Sequence, residues 1–86
     1  MKTFIITADL SRPYEQWEEG FLDHADIRAE FGIEDVWHGQ IEDEEKLLVI
    51  LRAESQDALD DLMQTHGDMI AQTGHVLDST EILVAI

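Results

Sequence analysis

The stretch Lys46-Leu47-Leu48-Val49-Ile50-Leu51-Arg52-Ala53 constrains this chain more than any other. It is aliphatic and β-branched, as strands are, yet it does not alternate. Successive strand residues point to opposite faces, so both faces of this strand are apolar. An antiparallel strand with one wet face alternates instead. Both faces of its sheet therefore have to be covered. Thr3–Asp9, Ile33–Ile41 and Thr80–Ile86 also read as strands, and helical periodicity follows Asp9 and Ala53. The order is one unit written twice: strand, helix, strand. It predicts an α+β chain, a ferredoxin-like βαββαβ with a four-stranded antiparallel sheet and two helices on one face. Two helices leave the other face open. A second copy of the chain is the simplest cover, so a homodimer through the open sheet face is expected.

The chain has 86 residues, so residues 1–86 form one small domain. A domain of this size buries only about 60–65% of its unfolded surface, and association would help it. Without cysteine it has neither a disulfide framework nor a thiolate metal site. The apolar start is interrupted at Thr7 and Asp9, too early for a signal peptide, and nothing approaches a membrane span. A cytoplasmic location is the expectation. Twenty acidic residues against five basic ones give a net charge of −15. That argues against nucleic acid or an anionic membrane as partner. It leaves salt adaptation of solvated faces, or a docking surface for a basic partner. Glu15/Glu19 and Asp57/Asp61 are like-charge pairs four apart, each costing about 0.2–0.5 kcal/mol at low salt.

Ser11 is a candidate N-cap for the first helix, with Pro13 in its first turn. Tyr14, Trp17, Phe21 and Ala25 then share one face. Arg28 interrupts that stripe while Ile27 and Phe31 begin a shifted one, so a break is expected near residues 22–26. Gly32 suits the position after the helix. Glu42-Asp43-Glu44-Glu45 joins the middle strands as a solvated hairpin tip. If Ile41 faces Lys46, His38 pairs with Val49 and Trp37 with Ile50. Val36, His38, Gln40, Leu47, Val49 and Leu51 then share one face; Trp37, Gly39, Ile41, Leu48, Ile50 and Arg52 share the other. Ser55 opens the second helix, whose apolar stripe is Leu59, Leu62, Met63, His66 and Ile70. Gly67 weakens it, and Gly74 ends it.

With this architecture in place, Phe31-Gly32-Ile33, Trp37-His38-Gly39, Leu48-Val49-Ile50 with Ala53-Glu54, and the stretch from Thr73 to Thr80 resemble the dimeric α/β-barrel superfamily over essentially the whole chain. They are most similar to a small group within it that has no assigned function. The resemblance implies two sheets packed face to face as a barrel, with helices outside and a small cavity in each subunit. Superfamily members include cofactor-free monooxygenases, haem-degrading enzymes, isomerases and proteins of no known activity, so fold does not decide function.

The four histidines are the side chains that titrate nearest neutrality. His66 shares the stripe of Leu62 and Ile70, so it reads either as a core residue or as a base at the edge of a cavity. His38, mid-strand, and the helical pair Tyr14 and Trp17 are its candidate companions. His24 falls at the expected break and His75 in a loop. No histidine pair has the spacing of a helical zinc site, and no phosphate loop occurs, so no metal or cofactor is expected. Enzymatic activity stays open. The sequence favours a homodimer binding a small apolar ligand or a partner between helices and sheet; the alternative is a cofactor-independent monooxygenase or isomerase with a histidine base.

Overall fold

The computed structural model describes residues 1–42 and 44–86. Along the chain run β1 (Lys2–Asp9), α1 (Tyr14–Asp23), α2 (Ala25–Glu30), β2 (Glu34–Gln40), β3 (Lys46–Ala53), α3 (Gln56–Gln72), a 3-10 turn (Leu77–Ser79) and β4 (Glu81–Ala85). The sheet order is β2-β3-β1-β4, with every neighbouring pair antiparallel. This is the ferredoxin-like α+β arrangement, with the first helical stretch divided in two. Among the described residues, no helix is long and apolar enough to cross a membrane.

Alternation along β1 and β3 sends Phe4, Ile6, Ala8, Leu47, Val49, Leu51 and Ala53 beneath the helices, where all are buried. Trp17 of α1 and Leu59 and Leu62 of α3 close over them. A fully buried Leu or Phe side chain contributes about 1.5–3 kcal/mol, so this layer carries the fold. The other face is the apolar surface that the unbroken LLVIL run predicts. Ile5, Leu48 and Ile50 are half-covered there, while Trp37 and Leu83 are 53% and 66% exposed. The Trp37 indole lies along its own strand over Gly39, where an added Cβ would sit 2.3 Å from the ring.

The hairpin has the expected register near its tip. The Ile41 N–H donates to the Lys46 carbonyl, His38 faces Val49 and Trp37 faces Ile50. Of that tip, Asp43 lies outside the described residues. The register departs from expectation at Val36. A β-bulge between Asp35 and Trp37 sets Asp35, rather than Val36, opposite Leu51, and Val36 is left 52% exposed. A bulge adds one residue and so re-aims a side chain. Here it turns a carboxylate toward buried Arg28.

The helix boundaries correct one expectation and support another. Ser11 does not cap α1, which begins at Tyr14 behind Pro13. Its hydroxyl and N–H instead donate to the Gly74 carbonyl, tying the end of β1 to the end of α3. The break in the first helical stretch falls at His24, within the expected window. The second helix kinks at His66, whose φ of −121° and ψ of 23° are non-helical. Its end is at Gly74, whose φ of +109° suits glycine alone, and whose missing Cβ makes room for Arg12.

Candidate functional site

Between the helices and the sheet lies a cavity of about 80 Å³. Its wall is hydrocarbon, supplied by Trp17, Leu47, Val49, Leu59, Leu62 and Ile70, because the apolar stripes of α1 and α3 face the buried side of β3. The polar groups that reach it are His24, Arg28, Thr73, His75 and Thr80. An apolar chamber with a few polar groups is the usual form of a small-molecule site.

His75 follows Gly74 and forms an isolated bridge with Leu10, which draws it inward until it is 7% exposed. Its Nε2 shares a 2.7 Å hydrogen bond with Thr80 Oγ1. Burial pushes its pKa down to about 4, so the ring is neutral at pH 7. His24 also has a lowered proton affinity, mainly from burial and then from the Arg28 charge; His66 adds to the effect and Asp23 opposes it. Arg28 is 5% exposed. Its guanidinium lies 3.7 Å from the centre of the Phe21 ring, and its Nε and Nη2 donate to the two oxygens of Asp35 at 2.8 and 2.9 Å. Pairing and hydrogen bonding are what make a buried cation tolerable.

A second cluster lies on the far side of Trp17. A carboxylate only accepts, so His38 Nε2–H donates to Glu18 Oε2 at 2.9 Å, and Tyr14 Oη–H donates to the same oxygen at 3.2 Å. Nδ1 is then the ring nitrogen left without a hydrogen-bond partner among the described residues. Burial, then the Glu18 charge and hydrogen bond, push the Tyr14 pKa up to about 12. Tyr14, Trp17 and Phe21 form a continuous aromatic row, with centroids 5.5 and 5.0 Å apart. The His38 ring meets Phe21 at 5.0 Å and Trp17 at 6.1 Å.

Of the four residues singled out in the sequence, Trp17 lines the cavity, while Tyr14 and His38 join through Glu18 beside it. His66 stands apart from these three. It is half-buried at the kink of α3, edge-on to Phe31 at 5.6 Å, and is not among the cavity-lining residues. Glu18, Arg28 and Asp35 also belong to these clusters, and the sequence does not mark them as site residues. Glu18 was visible four residues after Tyr14, hence on the same helix face. Arg28, where the apolar stripe breaks off, continues that helix face as a buried cation. Asp35 needed the bulge, which carries no local sequence signal here. His75, read as a turn residue, is a buried wall of the cavity. Among the described residues, no group of three or more His, Asp or Glu side chains is placed to hold a metal ion.

No curated protein matches the chain. Residues 1–85 match one family along almost their whole length, and the chain therefore belongs to the family described as Domain of unknown function (DUF3764).

Proposed function

We propose that this protein is a homodimer of the dimeric α/β-barrel type that binds a small apolar molecule between its helices and its sheet. The observation that carries this is the hydrocarbon-walled cavity of about 80 Å³ beneath α1 and α3. The open sheet face supports the dimer. Trp37, Ile50, Leu48, Ile5 and Leu83 form an apolar surface that a second sheet would cover, and exposed surfaces of that kind mark interaction sites. Light scattering at micromolar concentration should give about 20 kDa, twice the chain mass of 9.8 kDa, and Ile50→Glu should halve it. A wild-type monomer refutes the dimer. Titration with the neutral probe 3-methylbutan-1-ol should shift amide NMR signals of Trp17, Leu59 and Ile70; no shift up to millimolar probe refutes the ligand.

Tyr14, Glu18 and His38 favour a second function, a cofactor-independent oxygenase or isomerase. Glu18 fixes the His38 tautomer, and such orientation is what a general base requires. Oxygen uptake with a panel of hydroquinones, lost in His38→Gln, would support it. No uptake with any of them would count against the oxygenase.

A further inference from the structure

Basic side chains gather beside the cavity although the chain as a whole is strongly acidic. The break between α1 and α2 falls at His24 and the kink of α3 at His66. Arg28 and His66 both lie near enough to His24 to disfavour its protonation. Three of the nine Lys, Arg and His side chains are thus gathered in one place, and two of them, His24 and Arg28, line the cavity.

Arg28 also has donors to spare. A guanidinium carries five N–H groups, and Asp35 accepts from one on Nε and one on Nη2. The two N–H groups of Nη1 form no hydrogen bond among the described residues. They are not sealed in, since no buried side-chain nitrogen or oxygen among the described residues lacks a partner. The side chain as a whole is only 6% exposed. A group that lines the cavity, is nearly closed to bulk water and still has open donors is suited to an acceptor arriving through the cavity. Asp35 neutralises part of the Arg28 charge. Asp23 and Glu19, on the exposed side of α1, share a shallow surface groove with His24. The ligand's charge therefore has to sit on the inner side, against the guanidinium.

We propose that the cavity takes a small monocarboxylate, with its hydrocarbon body among Trp17, Leu59, Leu62 and Ile70 and its carboxylate on Arg28 Nη1 and His24. This rests on the small-molecule reading above and adds the ligand's class. The cavity of about 80 Å³ is roughly half of the ~150 Å³ that admits benzene, which limits the body to a few carbons. An anion against His24 favours the imidazolium, so binding should be coupled to uptake of a proton there.

The test uses the full chain and two probes with the same branched five-carbon skeleton, 3-methylbutanoate and 3-methylbutan-1-ol. At pH 7 the carboxylate should bind at least about ten-fold more tightly, as a charge-assisted contact requires. Both probes should shift Trp17 and Leu59, and the carboxylate alone should move the His24 ring signals toward the protonated position. His24→Leu and Arg28→Lys should each abolish most of that preference, read as the ratio of the two affinities in the same variant. If Arg28→Lys fails to fold, the His24 variant and the ring titration still decide. Equal affinity for both probes overturns the carboxylate seat and leaves the apolar site standing. A carboxylate that binds without moving Trp17 or His24 overturns it as well. Binding of neither probe overturns both.

Discussion

His75 makes the fold sensitive to mild acid, by an amount that follows from its burial. In the folded chain its pKa is lowered from 6.5 to about 4. Above pH 6.5 the ring is neutral in both folded and unfolded chains, and the residue contributes no pH dependence. Between 6.5 and about 4 the unfolded chain takes up a proton that the folded chain refuses, so stability falls as pH falls. Below about 4 both states are protonated and the loss is complete. At about 1.36 kcal/mol per pKa unit, the full loss is on the order of 3 kcal/mol, and about 2–3 kcal/mol of it has gone by pH 4.5. That is a large part of the margin of a small domain. Many carboxylates titrate in the lower part of this window, so the contribution has to be isolated by difference. Urea unfolding of wild type and His75→Gln, followed by tryptophan fluorescence at pH 7 and 4.5, does this. His75→Gln keeps an amide that can bond Thr80 Oγ1 and removes the titration. Wild type should lose about 2–3 kcal/mol more than the variant over that interval. Parallel losses in the two proteins would refute the assignment of a buried neutral ring.

Gly74→Ala should destabilise the fold by about 1–3 kcal/mol, because φ is +109° there and the new Cβ would lie 2.9 Å from Arg12 Cβ; an unchanged urea midpoint would refute it. Sodium chloride should raise the melting temperature by several degrees on the way to ~1 M, where screening shortens to about 3 Å, because the net charge of −15 repels itself; a flat or falling curve in differential scanning calorimetry would mean that the acids are already compensated.

The architecture was legible because it depends on repeating patterns. A doubly apolar β3, helical stripes at three and four residues, and a glycine after Phe31 each impose a local rule that the tertiary structure obeys. The hairpin register was legible as far as Trp37 for the same reason. It failed at Val36 because the bulge is not a propensity of residues 34–36. It coincides with the pairing of Asp35 to Arg28, a tertiary contact that alternation along the strand does not encode. Ser11 was misread because it carries every mark of an N-cap, yet Pro13 leaves it outside the helix and the Gly74 carbonyl is within its reach. The candidate site was half legible. Tyr14, Trp17 and His38 were named and do meet, but Glu18 was passed over as one acid among twenty. The position of His66 could not be read from an ideal helix, because the chain leaves helical geometry at that residue.

The extra residue in β2 has a consequence for how this family can vary. Side chains from Trp37 to Gln40 keep one alternation and those before Val36 keep the opposite one, so position 36 acts as a phase switch in an edge strand. Deleting that single residue would straighten the strand yet leave Asp35 opposite Leu51 and Glu34 opposite Arg52, because the pairing on either side already skips Val36. The acid clamped to Arg28 would remain Asp35, and what the strand would lose is the local bend that aims it. Insertions and deletions are usually tolerated in loops and damaging in sheets; here a lineage could gain or lose the codon at position 36 without turning either face of β2 over.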